Sequence, residues 1–328
     1  MLDDYKKHVD ERAELNIPPL PLDADQTSEL ISLLKEKNND PDYLLNLLKE
    51  RVPAGVDQAA YVKAAFLADI TTGNASSPYI SKIDAVEILG TMLGGYNVEP
   101  LIRCLEIEEL AETASRVLGR TLLIFDAFNE IFELSKKNKY AKKVIEEWAD
   151  AKWFTEKEDI KDQIKLTVFK VSGEINTDDL SPAPDAWSRP DIPLHALAMF
   201  KMPRTGLDDP LGTIEKLKEK GNPLVFVGDV VGTGSSRKSA TNSVLWHMGD
   251  EIPYIPNKKE GGYCFGGKIA PIFFNTLEDS GAFPIEMDVS KMLMGQEIIL
   301  EPLKGKVIDA NTKDCLLYTS DAADDCWS

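Results

Sequence analysis

Apolar residues recur at the three- and four-residue spacing of amphipathic helices through the first half of the chain. Several of these segments start at residues that favour helix N-termini: Asp25 or Thr27, Asp40 followed by Pro41, Asp57, and Ser81 with Asp84. Further amphipathic stretches follow at residues 99–105, 107–118, 121–134 and 140–153. The pattern predicts a series of short helices with almost no strand.

The predicted helices are short and closely connected, so consecutive ones are expected to pack as antiparallel neighbours. Many such helices in a row favour a stack of helix pairs of the HEAT type, although no clean repeat period is visible. A stack of this kind presents a broad surface, which favours partner binding or packing over chemistry. The apolar stripe of residues 121–134 is interpreted as core: Leu122, Leu123, Phe125, Phe128 and Phe132.

The pattern changes near residue 160. Residues 165–171 alternate apolar and polar side chains and are rich in β-branched residues, which is typical of a strand. The remaining chain mixes both patterns, with strands at residues 224–227, 269–274, 283–287 and 297–300 and helices at residues 212–220, 237–248 and 275–280. The predicted fold class is α plus α/β: an α-helical HEAT-like array at residues 1–160, followed by an α/β domain at residues 161–312.

Composition limits the class of protein. The 328 residues are 43% hydrophobic and 28% charged, which is typical of a globular chain long enough for two domains. The formal net charge of -18 argues against non-specific binding to nucleic acid or anionic membranes. The chain has a charged start and no apolar run of about 18 residues, so we expect a cytoplasmic protein with no membrane span and no signal peptide.

The potential metal ligands are scattered along the chain: Cys104, Cys264, Cys315, Cys326, His8, His195 and His247. No two cysteines form a CxxC pair, which favours reduced thiols over a disulfide framework. Each histidine is interpreted as a surface or packed residue. We therefore predict that this chain itself binds no metal.

One turn carries candidate chemistry, the sequence GTGSSR at residues 232–237, between a predicted strand and a predicted helix. The free N–H groups and the dipole at a helix start favour an anion, and Arg237 adds a planar fork for a carboxylate. Ser235 or Ser236 is a candidate proton acceptor, since the turn contains no histidine. The simpler alternative is that a serine only caps the helix. Nucleotide binding is disfavoured, because the turn lacks GxxxxGK[ST] and has Arg237 where GxGxxG needs its third glycine.

A second candidate segment is the long loop at residues 173–193. Its prolines at positions 182, 184, 190 and 193 are expected to stiffen it, which makes Arg189 a candidate second carboxylate clamp. The alternative is a surface arginine beside an Asx turn at Asp178. Two arginines with an unassisted serine fit a substrate that has several carboxylates and loses a proton from the carbon next to one of them.

These motifs resemble the aconitase family. The sequence NTDDLSP at residues 176–182, then Ser188-Arg189, then the turn at residues 232–237 are similar to the swivelling α/β domain of that family. A HEAT-like domain ahead of the swivelling domain is the order in its bacterial aconitase B branch, a group of bifunctional aconitate hydratases and 2-methylisocitrate dehydratases. The sequences at residues 94–97 and 183–191 also resemble this branch, and the resemblance ends near residue 312.

The resemblance implies a hydro-lyase that isomerises citrate to isocitrate through cis-aconitate and also dehydrates 2-methylisocitrate. In that family a serine alkoxide removes the carbon-bound proton, and a [4Fe-4S] cluster acts on the hydroxyl. By this resemblance Ser235 is the catalytic base, and the substrate-binding residues are Arg189, Ser235, Ser236 and Arg237. Asp178 is expected to be a supporting residue that orients a histidine on another domain. Asp179 stands where many relatives have histidine and is given no role.

Two departures from the family change the expectation. The cluster needs three cysteine ligands, and the four cysteines here are not spaced to hold it, so no cluster is expected on this chain. After Thr312 the sequence no longer resembles the family, and residues 313–328 are interpreted as a non-native, disordered tail on a truncated piece. The chain alone is therefore expected to be an inactive N-terminal part of the enzyme.

Two alternatives remain open. One is a regulatory module of the same family, in which the helical domain forms a homodimer or binds a partner, with mRNA as a ligand of the cluster-free form. Its acidic balance weighs against a large RNA footprint. The other is a protein like the small subunit of an isopropylmalate isomerase, which shares the swivelling fold. The helical first half disfavours this second alternative.

Overall fold

The computed structural model describes residues 2–121, 127–157 and 159–318. It divides into two compact units, one of Met1–Glu158 with Pro253–Pro256 and one of Asp159–Ile252 with Asn257–Ser328. Each unit has its own buried apolar core.

The first unit is helical. Its described helices are α1 (Leu2–Ala13), α2 (Ala24–Leu34), α3 (Pro41–Glu50), α4 (Gln58–Thr72), α5 (Lys82–Gly90), α6 (Val98–Cys104), α7 (Ala111–Leu118), α8 (Phe128–Ser135), α9 (Lys139–Ala149) and α10 (Lys152–Thr155). Consecutive helices pack together, such as α8 on α9 and α4 on α5, and so do helices two places apart, α2 on α4, α5 on α7 and α7 on α9. This arrangement is typical of stacked short helices and confirms the helical prediction for this half.

The capping residues set where these helices begin. Asp40 caps α3 with Pro41 in its first turn, and Ser81 forms a capping box with Asp84 at α5, as predicted. The predicted start of α2 at Asp25 or Thr27 is wrong. Asp23 is the cap, because its carboxylate accepts the N–H of Gln26 at 2.8 Å and the Gln26 side chain accepts the N–H of Asp23 in return.

The apolar stripe of residues 121–134 differs from its prediction. Leu122, Leu123 and Phe125 lie outside the described residues, and α8 begins only at Phe128. Phe128 and Phe132 are each 44% exposed and stack on one another with ring centroids 6.1 Å apart. Their assignment to the core is wrong, because α8 turns Ile131 into the core instead.

The second unit is built on strands. They are β1 (Ile164–Asn176), β2 (Leu224–Thr233), β3 (Asp250–Glu251), β4 (Lys259–Glu260), β5 (Tyr263–Ile269), β6 (Phe283–Glu286), β7 (Glu297–Glu301), β8 (Lys306–Asp309) and β9 (Cys315–Tyr318). Seven of them form one sheet in the order β6-β5-β2-β1-β7-β8-β9, and β3 pairs with β4 separately. Strands β1, β2, β5 and β6 are parallel, whereas β7, β8 and β9 continue the sheet in antiparallel pairs.

Helices cover one face of the parallel strands, and apolar residues outside the helices cover the other. The helices of this unit are α11 (Thr177–Leu180), α12 (Ile192–Ala196), α13 (Pro210–Lys218), α14 (Arg237–Met248) and α15 (Pro271–Asp279). Phe169 and Phe226 join the apolar cluster on one face, and Val168 and Val225 join the cluster on the other. Because both faces are covered, the inner strands are apolar almost throughout, as expected of parallel strands.

One predicted strand is a helix. The prediction of a strand at residues 269–274 is wrong, because β5 ends at Ile269 and α15 starts at Pro271, where proline favours the first helical turn. Phe273 and Leu277 are the buried residues of this helix, at helical spacing. A short apolar run does not by itself distinguish a buried strand from a buried helix.

The segment after Thr312 forms part of the sheet. Strand β9 pairs with β8, with Val307 opposite Leu317 and Ile308 opposite Cys315. Leu316 and Leu317 are partly buried against the apolar cluster on that face. The expected disorder is therefore wrong for residues 315–318, while residues 319–328 lie outside the described residues.

Candidate functional site

The two candidate loops follow the carboxyl ends of two neighbouring parallel strands, β1 and β2. Strand β1 ends at Asn176 and β2 ends at Thr233, and these two residues are partners in the parallel register. Ligands of open α/β sheets bind at the carboxyl ends of the strands, where such loops converge. The sheet therefore brings together two segments that are 57 positions apart in the sequence.

The turn after β2 depends on two glycines. Gly232 has a φ of +80°, and a Cβ there would lie 2.2 Å from the ring of Phe273. Gly234 has a φ of +108°, and a Cβ there would lie 2.5 Å from Thr177 Oγ1. Thr177 Oγ1 also accepts the N–H of Ser236 at 3.2 Å. Only glycine meets both demands, a left-handed φ and close contact, so the turn is held against the start of α11.

Ser236 occupies the N-cap position of α14, but its hydroxyl makes no capping hydrogen bond. It instead accepts a hydrogen bond of 3.0 Å from Arg189 Nη2. The same nitrogen lies 3.4 Å from the carbonyl oxygen of Ser181. The interpretation of Ser236 as a simple helix cap is therefore wrong, and the structure brings the two predicted loops into direct contact.

Arg189 follows a short 3-10 helix, Ala183–Ser188, and its side chain is half-buried. Its Nε is buried without a hydrogen-bond acceptor among the described residues. A buried donor left unpaired costs about 1–3 kcal/mol, so the fold tolerates an unfavourable group here. Within the described ranges Arg189 contacts a hydroxyl and a carbonyl and forms no ion pair, which leaves its positive charge available to an anion.

Ser235 and Arg237 stand on either side of this contact. Ser235 is exposed at the turn, whereas Arg237 is half-buried and donates from Nη1 to the carbonyl oxygen of Gly234 at 3.2 Å. Arg237 is also the first residue of α14, a helix of 12 residues. Ser235 thus directly precedes the N-cap residue of α14 and is two residues from Arg237, and a helix N-terminus and a guanidinium both favour negative charge.

A buried histidine, His195, which the sequence indicates only as a surface or packed residue, is hydrogen-bonded to the loop that carries Arg189. His195 Nε2 is 2.8 Å from Ser181 Oγ, and His195 Nδ1 is 2.8 Å from Ser188 Oγ. Ser181 Oγ is in turn 2.8 Å from Ser239 Oγ, in the first turn of α14. Burial, and then the charge of Arg189, lower the pKa of His195 below its usual range. The sequence carries no pattern that predicts this group, because its four members lie in or beside four separate elements.

Asp178 and Asp179, in the loop at residues 173–193, have different surroundings. Asp178 is exposed, and its carboxylate forms no hydrogen bond or ion pair within the part of the chain that the structure describes. Asp179 closes a capping box with Asn176 and pairs with Arg204 at 3.0 Å. Arg204 also donates to the carbonyl oxygen of Ser172. Asp179 and Arg204 therefore stabilise the end of β1, which is a structural role.

The three described cysteines are not grouped as an iron-sulfur cluster requires. Cys104 and Cys264 are buried, and burial raises the pKa of both thiols, that of Cys264 to about 12. Cys315 is exposed on β9, and Cys326 lies outside the described residues. The described ranges contain no group of three or more His, Cys, Asp or Glu side chains arranged to hold a metal ion.

None of the described helices combines the length and the apolar composition needed to cross a lipid bilayer.

Comparison with known proteins gives matches over both units. The family model of the aconitate B N-terminal domain matches residues 4–154, and that of the aconitate hydratase 2 N-terminus matches residues 166–323. The second match passes Thr312, so the expectation that the resemblance ends there is wrong. A solved structure of 3-isopropylmalate dehydratase from Methanocaldococcus jannaschii overlaps 49% of this chain and 84% of its own, with 18% identity and a TM-score of 0.35.

Several curated relatives carry the same name, aconitate hydratase B. The protein of Escherichia coli is 57% identical over 325 residues, covering 96% of this chain and 38% of the relative. That of Pseudomonas aeruginosa is 57% identical over 317 residues, covering 94% and 36%, and that of Helicobacter pylori is 50% identical over 308 residues, covering 93% and 36%. The chain thus spans well under half the length of these relatives. It belongs to the aconitate hydratase B family, whose two N-terminal family models it matches one after the other.

Proposed function

We propose that this chain supplies the base and the carboxylate-binding arginines of an aconitate hydratase. The substrates are citrate, cis-aconitate and isocitrate, with 2-methylisocitrate as a further substrate. The observation that carries the proposal is the contact of Arg189 with Ser236, next to the exposed Ser235 at the start of α14. Two guanidinium groups and a helix N-terminus at one turn suit a substrate with several carboxylates.

Ser235 has the role of base in this proposal. Its alkoxide accepts the proton of the carbon next to a substrate carboxylate, and the electrons of the broken C–H bond form the double bond of cis-aconitate. The hydroxyl of the adjacent carbon leaves as hydroxide with the electrons of the broken C–O bond. Addition of water in the opposite sense returns the proton from Ser235. The helix start and Arg237 lower the free energy of the alkoxide, which water alone stabilises poorly.

The other residues bind the substrate or orient a group that acts on it. Arg189, Ser236 and Arg237 bind substrate carboxylates, and the exposed Asp178 is available to orient a histidine outside this chain. No residue of this chain is assigned to the departing hydroxyl. The [4Fe-4S] cluster is a property of the full-length family, and since the described cysteines do not fit it, no step is assigned to it here. We expect the chain alone to be inactive.

The proposal is tested by joining this chain to the rest of the Escherichia coli relative and measuring kcat and KM with citrate. Ser235→Ala is expected to lower kcat by about a thousandfold, within the range for loss of a positioned base. Arg189→Lys and Arg237→Lys are expected to raise KM, because a lysine loses the bidentate fork. The control Ser28→Ala, at an exposed serine of α2, is expected to change neither. Full activity of the Ser235→Ala enzyme would refute the assignment.

A second proposal concerns the helical unit, which we propose as a homodimer surface. Phe128 and Phe132 are each 44% exposed, and Phe154 is 61% exposed, so apolar side chains are available for docking. Sedimentation of the chain and of a Phe128→Ser, Phe132→Ser double variant tests it, and a monomer in both samples contradicts it.

We further propose mRNA as a partner and the cytoplasm as the location of the protein. Retention of RNA by the chain tests the first, and cell fractionation tests the second.

A further inference from the structure

We propose that His195 is a positioning residue, which holds the loop that presents the Arg189 guanidinium to Ser236. The inference rests on the proposed function, because the position of Arg189 matters for turnover only if Arg189 binds substrate. His195 itself does not contact the exposed turn. It acts through two serines, and each of these is directly connected to Arg189.

His195 is connected to both the backbone and the guanidinium of Arg189. Ser188 is the residue before Arg189, and its hydroxyl is 2.8 Å from His195 Nδ1. Ser181 accepts a hydrogen bond from Arg189 through its carbonyl oxygen, and its hydroxyl is 2.8 Å from His195 Nε2. The imidazole therefore ties the residue that precedes the arginine to the residue whose backbone binds the guanidinium. Loss of the ring would remove this link between them.

Hydrogen counting assigns the tautomer. The hydroxyl of Ser188 donates to the carbonyl oxygen of Asp185 at 2.7 Å, so its one hydrogen is already used. His195 Nδ1 must then carry a hydrogen and donate to Ser188 Oγ. In the neutral ring Nε2 accepts the hydrogen of the Ser181 hydroxyl, so Ser239 is then the donor in its contact with Ser181 Oγ. A neutral ring also avoids a second buried positive charge beside Arg189, in line with the lowered pKa of His195.

The same group reaches the helix that carries the turn. Ser239 Oγ lies 2.8 Å from Ser181 Oγ and 3.1 Å from the carbonyl oxygen of Ser236. Ser239 is in the first turn of α14, directly after the residue pair Arg237 and Lys238. Through Ser181 and Ser239, the histidine thus connects the Arg189 loop to the start of α14. Hydrogen-bond groups of this kind fix one geometry when all members are paired.

The second buried histidine of this unit provides a matched control. His247 lies on α14, and its Nε2 donates to the carbonyl oxygen of Ala196 on α12 at 3.0 Å. It thus packs against α12, the helix that carries His195, but among the described residues it forms no hydrogen bond with Ser181 or Ser188. A variant at His247 therefore reports the general cost of altering a buried histidine here.

The test follows the Arg189 side chain by NMR in the chain without ligand, with its signals assigned by comparison with Arg189→Lys. Restricted rotation of the guanidinium is expected in the original chain and in His247→Gln. His195→Leu is expected to release it, and His195→Asn, whose amide can still donate to Ser188, is expected to restore part of the restriction. Ser188→Ala, which keeps the ring, provides a second release variant if His195→Leu does not fold.

Binding of tricarballylate, a tricarboxylate without the hydroxyl, is measured on the same samples. The dissociation constant is expected to rise about tenfold in His195→Leu and Ser188→Ala and to stay unchanged in His247→Gln. A restricted Arg189 in folded His195→Leu, or in Ser188→Ala, overturns the positioning role. Absence of tricarballylate binding to the original chain counts instead against the proposed function, while the ligand-free NMR signals still decide the role of His195.

Discussion

Gly234 shows how single residues determine the candidate site. Its φ of +108° disfavours any side chain, and the space beside it is filled by Thr177. Gly221 has a φ of +77° but open space around it, so it shares only the first of these two constraints. A comparison of substitutions at the two glycines therefore separates the effect of backbone strain from that of steric contact.

We expect Gly234→Ala to lower the free energy of unfolding by about 2–3 kcal/mol, and Gly221→Ala by about 1 kcal/mol, from strain alone. The added methyl group pushes Thr177 away from the N–H of Ser236, so Gly234→Ala is also expected to weaken tricarballylate binding. Urea unfolding and calorimetric titration measure both effects. Equal losses of stability in the two variants would show that contact with Thr177 is unimportant.

His247 provides a pH-dependent prediction at the same scale. Burial lowers its pKa to about 4, below the value near 6.5 of an unfolded chain. Between these values the unfolded chain binds more protons, so the stability that the neutral ring provides is present above pH 6.5 and lost as the pH falls toward 4. This loss reaches about 3 kcal/mol at pH 4.

His247→Gln keeps an N–H for the carbonyl oxygen of Ala196 but does not titrate. The difference in unfolding free energy between the variant and the original chain is therefore expected to shrink or change sign between pH 6.5 and 4. Chemical denaturation at several pH values measures it, and the titrating carboxylates cancel because both chains contain them. A difference that does not vary with pH contradicts the neutral buried ring.

Helices in this chain begin at capping residues of two kinds. Ser81 accepts the N–H of Asp84 through its hydroxyl, and the Asp84 carboxylate accepts the N–H of Ser81 in return. The two hydrogen bonds from Ser81 lower the pKa of Asp84. Ser236 stands at the same position of α14, yet its hydroxyl accepts from Arg189. Ser81 therefore caps its helix, whereas Ser236 binds Arg189.

The two serines are expected to respond differently to replacement by alanine. Ser81→Ala removes a cap and should cost about 1 kcal/mol of stability without affecting ligand binding. Ser236→Ala should cost less stability, roughly 0.5 kcal/mol or below, but weaken tricarballylate binding, because it frees Arg189. Thermal unfolding and calorimetric titration of both variants measure this. A stability loss at Ser236 as large as that at Ser81 would indicate an ordinary cap.

Local patterns predicted most elements and failed where two structures share one pattern. The strand at residues 165–171 and the helix at residues 237–248 are confirmed by β1 and α14. The strand at residues 269–274 is wrong, because a short apolar run fits a buried strand and a buried helix equally well, and Pro271 favours the helix. The strand after Thr312 was missed because pairing with β8 stabilises it.

At the scale of the whole molecule, the apolar cores belong to separate parts of the chain. The buried cluster of the helical unit draws on residues 5–144, and the two clusters of the sheet unit draw on residues 166–307. A unit with its own core and its own hydrogen-bonded sheet is expected to fold independently.

We expect residues 159–328, expressed alone, to unfold cooperatively and to bind tricarballylate with the affinity of the full chain. The reason is that Arg189, Ser235, Ser236 and His195 all lie in this unit. Circular dichroism on heating and calorimetric titration test this, with an Arg189→Lys variant of the same piece as the control. Failure of the piece to melt cooperatively would show that the helical unit is needed for its folding.

The sequence by itself determined the helices and strands that have a clear period, because these depend on neighbouring residues, and it predicted an anion site at GTGSSR. It also identified Arg189 as a carboxylate clamp candidate, from a stiff loop and a family resemblance. Only the tertiary structure decided that Arg189 contacts Ser236, 47 positions away, and that His195 lies between Ser181 and Ser188. These contacts depend on the parallel register of β1 and β2 and on helix packing across the sheet, which no local pattern encodes.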